Sequence, residues 1–234
     1  MSPKGANPVR SILAVVAITC AGLLGAPVPS ASAQQCPDVE VVFARGTGEP
    51  AGVGGVGQAF VDSLRSQVGS KSVNVYGVNY QASGDFTSPD FAKTVVDGVR
   101  DESNHVQSMA ATCPNTKTVL GGYSQGAVVT GYVTAAAVPP GVPASQVPAP
   151  MPPEVANHIA AVALFGEPSA AFLQSYGAPP IVLGPLYAAK TIDLCAPGDT
   201  ICNGAPNGAP TPAHIMYAVD GMVGQAAAYA ASRL

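Results

Sequence analysis

One serine in this chain has the surroundings of a nucleophile. The stretch Gly122-Tyr123-Ser124-Gln125-Gly126 places glycines two positions before and two positions after Ser124. An apolar run precedes it and a helix-forming run follows it, so the pattern predicts a strand, a sharp turn and a helix. Such a turn lifts the serine hydroxyl above the sheet edge and leaves the backbone N–H of Gln125 where an oxyanion would form. A glycine-rich turn capped by a serine, without chemistry, is the alternative.

A serine hydroxyl needs a base near neutral pH, and the base is usually a histidine. In this type of turn the chain order is serine, then acid, then histidine. Of the three histidines, His105 precedes the serine and lies on a helix face that we expect to be exposed to solvent. His158 lies at the start of a strand, at the end remote from the serine. His214 follows the carboxyl end of a strand, so we predict that His214 is the base.

The carboxylate that orients the histidine should lie between the serine and the histidine. The acidic residues in that interval are Glu154, Glu167, Asp193 and Asp199. The first falls in a proline-rich segment and the third lies within a strand, which leaves Glu167 and Asp199 at strand ends. Asp199 is favoured because it lies in a short loop bracketed by Cys195 and Cys202. Glu167 is the alternative acid.

The elements that would position these residues alternate between strand and helix. Buried strand patterns cover residues 39–44, 72–80, 118–123, 159–165 and 190–195. Helical spacing of apolar residues covers 56–68, 88–110, the stretch after Gly126, and 214–234, where Ile215, Val219, Met222, Val223 and Ala226 are predicted to face inward. This alternation predicts an α/β fold with a central parallel sheet, helices on both faces, and a site at the carboxyl ends of the strands.

Two segments between the serine and the histidine have a different character. Residues 138–153 contain seven prolines, which exclude a helix or a central strand and favour a surface insertion with no role in catalysis. Residues 168–187 form a loop with many large apolar side chains, which either line an acyl-binding wall or pack beneath the loop. Neither segment has an amphipathic helix long enough to be a lid.

Residues 1–33 have the three regions of a secretory signal peptide. Two basic residues precede an apolar run from Ile12 to Leu24, and Ala31-Ser32-Ala33 is a good cleavage site. Cleavage there leaves residues 34–234 as a single domain with a full-sized core. No later run reaches about 18 apolar residues, so we expect an exported protein without a transmembrane segment, located outside the cell or in the cell envelope. A lipoprotein anchored through Cys20 is the alternative.

Charge and cysteine content restrict the possible partners. The chain without its leader has 8 basic and 14 acidic residues, a net charge of −6, so no basic patch is available for nucleic acid. Its four cysteines, an even number, favour disulfides in an oxidising compartment. There is no C-x-x-C motif and the histidines are scattered, so we expect no metal site. The serine chemistry needs no organic cofactor.

These motifs together resemble the cutinase family of serine esterases, especially the cutinase-like proteins secreted by mycobacteria and related actinobacteria. The similarity extends from Cys36 to the last helix. The matching pieces are Cys36-Pro37, Arg45-Gly46-Thr47, Gly122-Tyr123-Ser124-Gln125-Gly126, Asp193-Leu194-Cys195 with Gly198-Asp199 and Cys202, and His214. The chain departs from fungal cutinases in two ways. Thr47 occupies a position that is often serine, and the proline-rich insertion is longer.

The resemblance implies a lidless α/β-hydrolase in which Ser124, Asp199 and His214 form a catalytic triad. It implies that the N–H groups of Thr47 and Gln125 form the oxyanion hole. It also implies disulfides between Cys36 and Cys113 and between Cys195 and Cys202.

The function that we expect is therefore that of a secreted, monomeric carboxylic ester hydrolase. It would cleave short- to medium-chain aliphatic or lipid esters through an acyl-enzyme. Two alternatives are kept. One is a carbohydrate acetylesterase on the same fold, which would prefer acetyl esters. The other is a cell-envelope binding protein or antigen whose site is inactive.

Overall fold

The computed structural model describes residues 36–234, so the predicted leader and Cys20 lie outside the described residues. Five parallel strands form one sheet in the order β2-β1-β3-β4-β5. The strands are β1 (Val39–Ala44), β2 (Val73–Gly77), β3 (Lys117–Tyr123), β4 (Ile159–Phe165) and β5 (Thr191–Leu194). The α-helices are α1 (Gly54–Gln67), α2 (Phe91–Thr112), α3 (Gln125–Val133), α4 (Ala170–Ser175), α5 (Pro185–Ala188), α6 (Pro212–Ile215) and α7 (Met222–Ala231).

The sheet separates two apolar layers because alternate residues of its central strands point to opposite faces. Val41 and Phe43 of β1 belong to the layer that contains α1 and α7. Val42 and Ala44 belong to the layer that contains α2 and α3. The predicted arrangement, a parallel sheet with helices on both faces, is confirmed. Ala44 pairs with Gly122 of β3, so the carboxyl ends of the two central strands lie side by side.

Two predicted strands are shorter in the structure. The segments 72–80 and 190–195 form strands only over Val73–Gly77 and Thr191–Leu194. After Gly77 the chain turns towards α2, where the N–H of Asn79 donates to Asp101 Oδ2 at 2.7 Å. A side chain of the neighbouring helix thus replaces the strand partner.

The prediction of one continuous helix from residue 214 to residue 234 is wrong. The segment contains the short helix α6 and the separate helix α7, and Gly221 between them has a φ of 94°. A residue in this left-handed conformation interrupts a helix, and glycine adopts it without strain. Consequently Ile215 and Val219, predicted to face inward, are 66% and 71% exposed, whereas Val223 and Ala226 are buried.

His105 is not on a solvated helix face as predicted. Its ring stacks on Tyr76 with 3.5 Å between ring centroids, and its Nε2 lies 3.0 Å from Glu40 Oε1. Glu40 is buried at the amino-terminal half of β1. The histidine therefore links α2 to the sheet far from Ser124, where a packing role is sufficient to explain it.

The proline-rich segment crosses the surface without a helix or strand until the short 3₁₀-helix Pro153–His158. It is held at both ends. Ala135 forms a bridge with Leu183 just before the segment, and Met151 is buried near its end in the layer of α2 and α3. Within residues 36–234, the 3₁₀-helix and α4, at six residues each, are the longest helices between α3 and His214.

Both disulfides are present with the predicted pairing. Cys36–Cys113 joins the chain before β1 to the carboxyl end of α2, and Cys195–Cys202 closes the loop after β5. The described residues include no helix with the length and hydropathy of a membrane span.

We predict that the two disulfides contribute unequally to stability. They span sequence separations of 77 and 7 residues. The chain-entropy model then gives about 4.5 kcal/mol for the long loop and about 2.5 kcal/mol for the short one. Urea unfolding of the Cys36→Ser/Cys113→Ser and Cys195→Ser/Cys202→Ser proteins measures both losses. An equal loss in the two variants would contradict this ranking.

Candidate active site

Ser124 lies at the junction of β3 and α3 with a strained backbone. Its φ of 54° and ψ of −117° are unusual for any residue other than glycine. The two flanking glycines explain how the strain is held. A Cβ on Gly122 would lie 2.3 Å from the Gly126 carbonyl oxygen, and a Cβ on Gly126 would lie 1.9 Å from the Ala44 carbonyl oxygen. Only glycine at both positions lets α3 pack this closely on the sheet.

The structure brings Ser124, His214 and Asp199 together. The Ser124 Oγ lies 2.9 Å from His214 Nε2, and His214 Nδ1 lies 2.8 Å from Asp199 Oδ2. Asp199 is fully buried and His214 is 4% exposed. A carboxylate next to Nδ1 favours the tautomer with the proton on Nδ1, which leaves Nε2 free to accept the serine proton.

Further donors satisfy the buried Asp199 carboxylate. The Tyr217 hydroxyl donates to Oδ2 at 2.7 Å, and the Ile201 N–H donates to Oδ1 at 3.0 Å. Tyr217 is itself fully buried and accepts a hydrogen bond from the Ala196 N–H at 2.9 Å. Burial and the bond to Asp199 raise the pKa of Tyr217, so its hydroxyl stays a donor.

The sequence interpretation missed Tyr217. Its signal is weak: an aromatic residue three positions after the histidine is equally typical of a core residue in a helix.

Short-range contacts position His214. It lies in α6, where Thr211 caps the helix and Pro212 occupies the first turn. The Tyr123 hydroxyl donates to the His214 carbonyl oxygen at 2.7 Å, so the residue before the serine also holds the histidine backbone. The disulfide-closed loop after β5 carries Asp199 to the same place.

A network around Arg45 fixes the loop after β1 that carries Thr47. The buried Arg45 side chain donates to the carbonyl oxygens of Glu49, Val78 and Tyr80. The Glu49 carboxylate accepts from the Gly46 N–H at 2.6 Å and from Gly55 at the start of α1 at 2.7 Å. Among the hydrogen bonds of the described residues, neither the Thr47 nor the Gln125 N–H has a protein acceptor. Both amides are therefore free to bind an added oxygen.

Glu167, the alternative acid, forms no hydrogen bond with His214 in the part of the chain that the structure describes. Its Oε2 is buried without a hydrogen-bond partner among the described residues, in the space that a Cβ on Gly131 of α3 would enter. Burial and the nearby Asp193 raise the pKa of Glu167 to about 8. A largely neutral carboxyl at this position cannot replace Asp199 as the partner of His214.

Ser124 opens into a cavity of about 1040 Å³, at the upper end of the range for ligand pockets. Ser124, His214, Thr47 and Gln125 line one part of it, and the rest is mostly apolar. From the loop 168–187, Phe172, Leu173 and Tyr176 line the cavity, whereas Leu183 packs against the core. The proline-rich segment, expected to have no role in catalysis, also lines the cavity.

The described residues bring together one group of potential metal ligands, Cys195, Asp199 and Cys202. Both sulfur atoms are joined in the disulfide and Asp199 is bonded to His214. The group therefore offers no thiolate for a metal.

Comparison with known proteins identifies the family of this chain. The sequence model of the cutinase family matches residues 35–234. This chain belongs to the cutinase family. Carboxylesterase Culp1 of Mycobacterium tuberculosis (strain ATCC 25618 / H37Rv) is 49% identical, with 100% of this chain and 98% of the relative covered. The probable carboxylesterase Culp7 of the same strain is 66% identical over 72% of this chain and 89% of its own length. The phospholipase Culp4, also of that strain, is 50% identical, covering 98% of this chain and 94% of the relative.

Two solved structures share the fold of this chain. The Trichoderma reesei cutinase in complex with a C11Y4 phosphonate inhibitor has a TM-score of 0.63 and 36% identity, covering 84% of this chain and 76% of its own. The catalytic core of acetyl xylan esterase from the same fungus has a TM-score of 0.69 over 86% of this chain and 100% of its own, at 23% identity, which shows the fold alone. The protein is an α/β-hydrolase and an ester hydrolase of the cutinase family.

We predict that Gly126→Ala prevents native packing of α3, because the new methyl group would overlap the Ala44 carbonyl oxygen. The expected result is a loss of several kcal/mol in the free energy of unfolding, measured with urea, or no folded protein. Gly224→Ala is the matched control. Gly224 is exposed in α7, and no atom lies within 4 Å of the position that its added methyl group would take, so alanine should stabilise by about 0.5 to 1 kcal/mol. Similar stabilities of the two variants would contradict the packing argument.

A second prediction concerns pH. Because the pKa of folded Glu167 is raised to about 8, the folded state holds a proton there that the unfolded state releases above about pH 4.5. The contribution of protonated Glu167 to the free energy of unfolding is complete below pH 4.5 and decreases as pH rises towards 8. Glu167→Gln should remove this decrease. The free energy of unfolding of the variant, measured with urea, should therefore exceed that of wild type by an amount that grows from pH 5 to pH 8. A constant difference between the two proteins would show that Glu167 is ionised in the folded state.

Proposed function

We propose that this protein hydrolyses carboxylic esters through an acyl-enzyme on Ser124, with His214 as the base and Asp199 as its orienting carboxylate. The observation that carries the proposal is the continuous chain of hydrogen bonds from Asp199 through His214 to a serine in a strained turn. These distances are within the reach that proton transfer requires.

In the first half of the reaction His214 Nε2 takes the proton from Ser124 Oγ as Oγ attacks the ester carbonyl carbon. The carbonyl oxygen becomes an oxyanion. We assign its binding to the N–H groups of Thr47 and Gln125, supported by their freedom from protein acceptors. Collapse of the intermediate breaks the bond to the alcohol oxygen, which receives the proton from His214.

In the second half His214 removes a proton from water, and the hydroxide attacks the acyl carbon. The bond to Ser124 Oγ then breaks, the serine recovers its proton and the carboxylic acid leaves. Asp199 stabilises the imidazolium that forms in each half and keeps the ring in one orientation. His214 gives back each proton that it takes, so the cycle consumes only the ester and one water molecule.

The apolar cavity favours aliphatic or lipid esters over acetylated carbohydrates. A site for an acetylated sugar should present many hydrogen-bonding groups, since a polar substrate must exchange its bonds to water for bonds to protein. The lining beyond the triad is instead dominated by valine, proline and aromatic residues. Names of relatives, among them a phospholipase, point to the same substrate class.

We also propose that the protein acts outside the cytoplasm. Two disulfides are typical of an oxidising compartment. The predicted signal peptide at residues 1–33 provides the route of export.

We predict that Ser124→Ala lowers kcat for p-nitrophenyl butyrate by at least about 10³-fold, because only binding and the oxyanion hole remain. Steady-state kinetics with circular dichroism on the same preparation provides the measurement. Ser66→Ala on the exposed surface of α1 is the control and should match wild type. Full activity of folded Ser124→Ala protein would eliminate the proposed mechanism.

Asp199 and Glu167 are separated by a pair of isosteric changes. Asp199→Asn should lower kcat by about 10²- to 10⁴-fold, because an amide no longer fixes the productive tautomer of His214. Glu167→Gln should retain kcat within about twofold, since that carboxyl is already mostly neutral at pH 7. The reverse order of effects would make Glu167 the functional acid.

A further inference from the structure

We propose that the part of the cavity beneath the proline-rich segment is the binding site for the aliphatic acyl chain of the substrate. We call this part the lateral groove. It lies between α2, α3 and residues 138–150, and it is continuous with Ser124. The inference rests on the proposed ester hydrolysis and adds a substrate class: esters whose acyl chain is long enough to extend along α2.

Three walls form the lateral groove. One face of α2 contributes residues one turn apart, represented by Phe91, Val95 and Val99. Val128 and Val133 of α3 form the second wall. The third is the proline-rich segment, whose Val142, Val147 and Pro148 lie against the same space. An unbranched hydrocarbon is the ligand that such a lining fits.

The length of the groove can be read along α2. Its lining begins at Phe91 and continues to Ser103, twelve residues later, which corresponds to about 18 Å along the helix axis. The α2 helix starts at the carboxyl edge of the sheet, where Ser124 lies, and runs towards the opposite edge. A chain that starts at Ser124 can therefore extend along the helix and away from the triad.

Three charged residues of α2 line the groove, two of them positive and one negative. Lys93 and Asp97 form an ion pair, and Arg100 lies 3.1 Å from the other oxygen of Asp97. All three line the groove, and their side chains are 70%, 38% and 49% exposed. The charges therefore stay in contact with water, and a hydrocarbon can enter the groove without burying them.

The position of His214 indicates which part of the ester enters the groove. The leaving alcohol must lie close to His214 Nε2, because that atom gives it a proton. His214 packs against Tyr123 and Tyr217, in the layer of α1 and α7. The groove extends into the opposite layer, that of α2 and α3. The acyl chain, which points away from the leaving group, is the part directed into it.

The proline-rich segment suits a wall that must stay open. Its prolines restrict the backbone, and both of its ends are fixed, by the bridge of Ala135 to Leu183 and by buried Met151. A preformed wall lowers the entropy cost of ordering the site around a flexible chain. This gives the insertion a role in substrate binding.

The test uses two matched pairs of exposed alanines. Ala92 on α2 and Ala149 on the proline-rich segment line the groove, whereas Ala111 on α2 and Ala144 on the segment do not. Each is changed to tryptophan, and kcat/KM is measured for p-nitrophenyl esters from butyrate to laurate. For wild type, kcat/KM should rise by up to about fourfold per methylene while the chain enters the groove.

Ala92→Trp and Ala149→Trp should lower the laurate-to-butyrate ratio of kcat/KM by about 10-fold or more, since excluding two methylenes already has that effect. Ala111→Trp and Ala144→Trp should keep the wild-type ratio. An unchanged laurate-to-butyrate ratio in Ala92→Trp and Ala149→Trp would overturn the proposal, and so would an equal decrease in these two variants and in the two controls. A decrease in kcat/KM of Ala92→Trp and Ala149→Trp that was confined to acetate esters of long alcohols would also overturn it, because the groove would then bind the alcohol.

A second readout does not depend on catalysis. Laurate titrated calorimetrically into the full protein should bind about 10-fold or more weakly to Ala92→Trp and Ala149→Trp than to the two controls. If the wild-type protein cleaved no ester but laurate binding followed this order, the proposed hydrolysis would fail and the groove would stand. Equal laurate affinity in all four variants would overturn the groove.

Discussion

The close packing of α3 on the end of β1 is the constraint on which the site depends. At Gly126 the backbone of α3 comes so near the Ala44 carbonyl that no side chain fits between them. This contact holds Ser124 in a backbone conformation that a free chain would leave. Two consequences follow: the hydroxyl projects above the sheet, and the first N–H of the helix has no protein acceptor among the described residues. The close packing of α3 on β1 thus fixes the orientation of the Ser124 hydroxyl and of the first N–H of the helix.

The second requirement is a buried carboxylate with all of its partners. Asp199 is removed from water, which would be unfavourable for an unpaired acid. His214, Tyr217 and the Ile201 N–H supply the bonds that water would otherwise make. The loop closed by Cys195–Cys202 and the aromatic contacts of Tyr217 with Phe165 and Tyr123 keep this arrangement rigid. The histidine then has one orientation available, and it is the one that reaches the serine.

Much of this arrangement was predictable because it depends on local patterns. Buried strands are short apolar runs ended by glycine or proline, and the bounds of β1 and β4 match the prediction. The order of serine, acid and histidine excluded His105, and the position of His158 at the start of a strand left His214, whose ring nitrogen the structure places beside Ser124. The pairing of the cysteines came from the family resemblance, since spacing alone leaves it open.

Most of the errors and omissions concern contacts between segments distant in sequence. The packing of His105 on Tyr76 depends on a neighbour that no local pattern reveals. The break at Gly221 is different, because Asp220-Gly221 is a local turn signal that the helical spacing of apolar residues outweighed in the prediction. The sequence marks Tyr217 only as a core residue, and its hydrogen bond to Asp199 is known only from the structure. The lateral groove is formed by α2, α3 and the proline-rich segment together, so none of the three sequences indicates it alone.

The central claim is that Ser124 is the nucleophile and that His214 activates it. Incubation with a p-nitrophenyl phosphonate, followed by intact mass spectrometry and peptide mapping, tests both parts in one experiment. We expect one phosphonyl group per protein, on the peptide that contains Ser124, formed at least about 10²-fold more slowly in His214→Ala. Labelling of another residue, or equally fast labelling of the folded His214→Ala protein, would contradict the account.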